Sequence, residues 1–156
     1  MLLKDSTQRV NNRGIILNEE RILAIDYGTK RIGLAVTDPL KIFAYPLITL
    51  PNDSKFFERL KKIINEYHIV KIIIGYPLKE SGDESTSSQS VLKFKSELEN
   101  NISLPIELID ERYSSSIARE RIIQSVASKK KRRDKSLLDK NAAAVILEDY
   151  LNASKK

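Results

Sequence analysis

Cysteine is absent from this 156-residue chain. That excludes a disulfide framework, a thiolate nucleophile and any cysteine-based zinc site. Histidine occurs once, at His68, so a centre built on paired imidazoles is excluded as well. No apolar run approaches the length of a membrane span, and Met1 to Val10 lacks the apolar core of a signal peptide. A reducing, cytoplasmic setting with no membrane partner is the expectation. Internal repeats are missing too, and no composition shift marks an inter-domain linker.

What is present fits a soluble globular protein: 41% apolar and 31% charged residues. The length predicts one domain able to bury a core, over residues 21–152. Residues 1–20 show no sustained period and are expected to form a flexible leader, with 153–156 as a tail. Net charge is +6, and its distribution is uneven. Between Arg112 and Lys140, ten Lys/Arg face three acids, a local +7 that leaves −1 for the rest of the chain. The densest part is Lys129, Lys130, Lys131, Arg132 and Arg133. Such a run is either a solvated loop or a phosphate-binding one, and its place between two predicted helices favours the latter.

Periodicity predicts strands over Arg21–Ile25, Arg31–Thr37 and Ile42–Leu50, joined by turns at Gly28 and Asp38-Pro39 as an antiparallel meander. Phe56, Leu60, Ile63 and Tyr67 then recur at helical spacing, with His68 in a structural role at the helix end. Val70–Ile74 reads as a buried parallel strand. A polar stretch from Gly75 to Ser90 follows, then a helix over Val91–Glu99 and a strand over Ile106–Ile109. Helices over Ser115–Ala127 and Leu137–Leu151 complete an α/β order, a mixed five-stranded sheet flanked by helices.

Three carboxylates stand where charge is costly. Asp26 ends the first strand, Glu111 follows the last, and Asp139 shares a helix face with Ala142, Ala143, Ile146 and Tyr150. Each has a structural alternative: a turn aspartate, an ion pair of Glu111 with Arg112, and a capping box of Asp139 with Ser136. Taken together, two acids at the ends of neighbouring parallel strands and a third on a helix above them lie where open α/β sheets bind ligands. Carboxylate-only ligation suits Mg²⁺ or Mn²⁺, and a pair of such ions is an established means of hydrolysing phosphodiesters. Lys30, Arg31 and Arg112 are placed to meet phosphates, and Tyr27, Tyr76 and Tyr113, each beyond a strand end, to stack on unpaired bases.

The segments IDYGTKRIGLAVTDP, IIIGYPLKESG, DERYSSSIA and DKNAAAVILEDYL resemble, in order and spacing, the YqgF/RuvX family of pre-16S ribosomal RNA nucleases. These are relatives of Holliday-junction resolvases within the ribonuclease H-like fold. The resemblance implies a ribonuclease H-like sheet with the first strand central, and Asp26, Glu111 and Asp139 at the acidic, metal-binding, catalytic positions. It implies a metal-dependent nuclease acting on precursor ribosomal RNA. The alternatives are a resolvase of DNA junctions and a non-catalytic RNA-binding or ribosome-assembly module. A DYGT-type phosphate turn also suggests an actin-like ATPase, but the chain has no room for the second domain that such proteins need. KKKRR stands where many relatives have a Gly-rich loop, and Ser115 where Thr is usual.

Overall fold

A computed structural model describes residues 8–10, 12–14, 16–79, 81–111 and 135–154. The elements are β1 (Gln8–Val10), β2 (Ile16–Asn18), β3 (Arg21–Asp26), β4 (Arg31–Thr37), β5 (Ala44–Pro51), α1 (Phe56–Glu66), β6 (Ile69–Tyr76), α2 (Thr86–Asn101), β7 (Ile106–Asp110) and α3 (Lys135–Ser154). Five strands form one sheet in the order β5-β4-β3-β6-β7. β3, β4 and β5 pair antiparallel, while β6 and β7 run parallel to β3. This is the predicted mixed sheet with the first long strand at its centre. The expected helix over Ser115–Ala127 lies outside the described residues.

Alternation along the strands sorts side chains between two layers. Leu23, Ile25, Ile32, Leu34, Ile72 and Ile74 face α1 and α2, packing on Phe56, Leu60, Val91, Phe94 and Leu98. Ile22, Ala24, Ala35 and Ile73 face α3, packing on Ala143, Ala144, Ile146 and Leu147. Small residues on both sides of that second layer let α3 lie close to the sheet. Each fully buried Leu, Ile or Phe stabilises the fold by about 1.5–3 kcal/mol.

Three local features were not legible in the sequence. The expected leader carries a hairpin, with β1 antiparallel to β2; strands of three residues are too short to show a period. α2 starts five residues before Val91, because Ser85 and Ser88 form a reciprocal capping box ahead of a polar first turn. α1 stops at Glu66, and His68 turns the chain with a positive φ of 51°. At the same end of the sheet, the Asp38 carboxylate accepts the N–H groups of Leu40, Ile42 and Phe43 at 3.0, 2.8 and 2.7 Å. That bonding braces the β4–β5 turn while leaving Leu40 and Phe43 exposed.

Candidate active site

Asp26 is the last residue of the central strand, and strand alternation turns it toward α3, as it does Ala24 two residues earlier. Its neighbours across both ladders are glycines. On β4 its partner is Gly33. On β6 the register pairs Ile25 with Ile74, so Gly75 comes next.

Those glycines are there because other groups occupy the space a side chain would fill. A β-carbon on Gly33 would overlap the Asp139 carbonyl and come within 2.9 Å of the Lys140 nitrogen. A β-carbon on Gly75 would collide with the Glu111 carboxylate and lie 2.6 Å from Ile146 Cδ1. The backbone of α3 at Asp139 therefore rests directly on Gly33, and the Glu111 carboxylate lies over Gly75 against α3. Glu111 is carried there by the parallel β6–β7 pairing, which extends to Tyr76 and Asp110. Its own N–H then donates to the Tyr76 carbonyl at 3.3 Å. Thus the fold brings Asp26, Glu111 and Asp139 to one edge of the sheet, all on its α3 side.

Electrostatics links the first and third of them. Burial and, second, the negative charge of Asp139 push the Asp26 carboxyl up to about 7 from its ordinary 3.8. Asp139 in turn accepts a hydrogen bond from Arg31 Nε at 2.9 Å on Oδ2. Among the described residues no three acidic or histidine side chains are gathered tightly enough to hold an ion.

The predicted basic and aromatic residues fare unevenly. Arg31, expected at phosphate, has its guanidinium on Asp139. Lys30 is exposed at the end of the turn. Tyr27 and Tyr76 do not share the acids' side of the sheet: alternation sends both toward α1 and α2, where they pack on the larger core. One face of the Tyr27 ring is stacked on Phe94 at a centroid distance of 4.5 Å. The Tyr76 hydroxyl donates to Glu84 Oε1 at 2.8 Å. Arg112, Tyr113 and Lys129, Lys130, Lys131, Arg132 and Arg133 lie outside the described residues. Sequence reading passed over Gly33 and Gly75, although an isolated glycine inside a β-branched strand is a recognised mark of close backbone approach.

The profile of the RuvX family, described as Holliday junction resolvase, matches residues 20–153. A protein of Prosthecochloris aestuarii named "Putative pre-16S rRNA nuclease" is 41% identical over 138 residues, covering 88% of this chain and 96% of its own. Another of that name, from a Sulfurihydrogenibium species, is 41% identical over 134 residues, covering 85% and 90%. Among solved structures, RuvC of T. thermophilus with a Holliday junction substrate is similar over 87% of this chain and 96% of its own, with a TM-score of 0.53 at 14% identity. The Fowlpox virus resolvase with Holliday junction DNA covers 87% and 99%, with a TM-score of 0.52 at 14% identity. At such identities these structures speak for the fold, which is that of RuvC-like resolvases, ribonuclease H-like. With a profile match along residues 20–153 and relatives at 41% identity over nearly their whole length, this chain belongs to the RuvX family.

Proposed function

We propose that this chain is a divalent-metal-dependent nuclease that hydrolyses phosphodiester bonds in structured RNA, acting in the cytoplasm on the 5′ end of pre-16S ribosomal RNA. The observation that carries the reading is Asp26. Its carboxyl ends the central strand, hemmed by two glycines, and its proton affinity is raised partly by a second carboxylate. A site that holds two acids together at a cost in charge repulsion is suited to a cation. The names of the curated relatives supply the substrate class.

The donor set is oxygen only, which fits Mg²⁺ or Mn²⁺. Asp26, Glu111 and Asp139 would hold the metal, and two such ions would supply the charge that activates a water and stabilises the leaving oxygen. The chain's own residues do the rest. Gly33 and Gly75 let the α3 backbone at Asp139 and the Glu111 carboxylate settle close to the sheet beside Asp26, and Arg31 orients Asp139 by its hydrogen bond. Lys30 stands exposed beside the site to meet the substrate backbone. Arg112 and the run Lys129 to Arg133 add sequence-independent attraction for phosphates.

The family's description as Holliday junction resolvases favours a second reading, cleavage of four-way DNA junctions. One experiment separates the two. The purified protein is incubated with precursor ribosomal RNA, single-stranded RNA and a four-way DNA junction, in EDTA and then with Mg²⁺ or Mn²⁺. The proposal expects metal-restored cleavage of the precursor RNA and none by Asp26→Asn. Preference for the junction supports resolvase activity. Binding without cleavage of any substrate would leave a ribosome-assembly module. Full cleavage in EDTA would refute the metal-dependent mechanism.

A further inference from the structure

We infer that the cleft between the Tyr27–Thr29 turn and the start of α2 is a subsite for one nucleoside of the substrate strand, held through its base and sugar. The substrate class rests on the nuclease reading above; the occupant is argued from the cleft itself. Its volume is about 260 Å³. Tyr27, Pro77 and Val91 supply flat or apolar wall, and Thr29, Ser87 and Ser90 place hydroxyl-bearing residues around it. Rings offer a surface for the π-face of any base. Hydroxyls both donate and accept, which matches base edges and the 2′-hydroxyl of ribose. The described lining carries no lysine or arginine, so the wall is matched to the neutral part of a nucleotide.

Both walls are braced without a ligand. Tyr27 is backed by the Phe94 ring, and its hydroxyl accepts from Asn52 Nδ2 at 3.4 Å. The same amide donates to the Gly28 carbonyl at 3.0 Å, fixing the turn. Opposite, the Pro77 carbonyl accepts hydrogen bonds from Ser85 Oγ and Ser88 Oγ, the capping pair of α2, and Ser88 is wholly buried. Phe94 and Ser88 both belong to α2, so one helix ties the two walls together, and a concave surface fixed in this way binds with little ordering cost.

Position connects the cleft to the chemistry. Tyr27 directly follows Asp26, so their Cα atoms are about 3.8 Å apart, yet their side chains point to opposite layers. A strand that places a phosphate at the acids therefore passes over the edge of the sheet, and an adjoining nucleoside enters the cleft.

The test uses the full chain carrying Asp26→Asn, ¹⁵N-labelled, in EDTA. It is titrated separately with adenosine, uridine, 2′-deoxyadenosine and inorganic phosphate. Saturable millimolar shifts of amides 27–29 and 86–91 are expected with the nucleosides and not with phosphate. Ser87→Tyr, at an exposed helical position, and Ser90→Leu fill the cleft and should abolish those shifts. In the active protein Ser87→Tyr should raise KM for RNA about tenfold, the loss of roughly one base contact, with kcat within about twofold. No nucleoside shifts at these amides, equal shifts with phosphate, or loss confined to kcat would overturn the subsite. Nucleoside binding in a protein that cleaves nothing would leave the subsite standing and remove only the nuclease reading. Cleavage without nucleoside binding would do the reverse.

Discussion

Replacing Asp26 by asparagine removes a group that the metal-free fold holds at a disadvantage. Its carboxyl is pushed up to about 7 from 3.8 by burial and by Asp139. The folded state thus keeps this proton to a higher pH than the unfolded chain does. Stability is fully present below the unfolded value and is lost as pH rises through the folded one. Over about three pH units at ~1.36 kcal/mol each, the ionised carboxylate opposes folding by about 4 kcal/mol. Asparagine has nearly the same shape and no charge, so in EDTA at about pH 8 the variant should be more stable by about 2–4 kcal/mol. For a chain of this size that is a rise in Tm of roughly 5–15 °C. At about pH 4 the carboxyl is protonated in the fold, and the difference should shrink towards zero. Thermal melts of both proteins, followed by circular dichroism across this pH range, measure the effect. Parallel pH profiles, or an asparagine variant less stable at the alkaline end, would show that Asp26 is not under the charge pressure inferred for it.

Gly33→Ala should drive a β-carbon into the backbone of α3 at Asp139, costing about 1–3 kcal/mol in stability. It should lower cleavage at least about tenfold by displacing one acid from another; wild-type melting and activity together would refute the close approach. Arg31→Ala leaves Asp139 facing Asp26 without its cation. A loss of about 1 kcal/mol in EDTA, given the partial exposure of the pair, should be offset on adding Mg²⁺, as urea titrations with and without the ion would report. Neutralising Lys129 to Arg133 should weaken binding to every nucleic acid alike and lower the log–log salt slope. Each lost contact is worth roughly 0.7 on a single strand or 0.9 on a duplex. An unchanged slope would assign the run to solvent.

The sheet was legible because its strands differ in kind. Val70–Ile74 is apolar and β-branched apart from Lys71, as expected of a central parallel strand, whereas in β4 the larger Ile32, Leu34 and Val36 alternate with small residues. The acids were legible because charge at a strand end or on an apolar helix face is conspicuous. The shape of the site was not. Gly33 and Gly75 carry no chemistry of their own, and their meaning appears only when α3 and Glu111 are seen resting on them. The sidedness of Tyr27 and Tyr76 was implicit in strand alternation, but both were assigned by their distance from strand ends, which is blind to the face. The first turn of α2 is polar throughout, so apolar periodicity began only at Val91. Arg31 reads in the sequence as a phosphate contact; pairing it with a residue 108 positions away requires the fold.

The outer strands bear on how the protein behaves in a crowded solution. β5 and β7 are the two margins of the described sheet, and an unprotected margin is a template on which another chain can add a strand. β5 carries Pro46 and Pro51, which have no N–H to offer, and an irregularity in its pairing opposite Leu34 and Ala35. β7 is only five residues long and bears Glu107 in an ion pair with Lys71 at 2.6 Å. Apolar side chains stand exposed on and beside β5, Phe43, Tyr45 and Ile48 among them, and without such guards they would favour stacking of copies into extended aggregates. Interrupted hydrogen bonding at one margin and charge at the other oppose that route, so the same strands that enclose the core also set where the sheet ends.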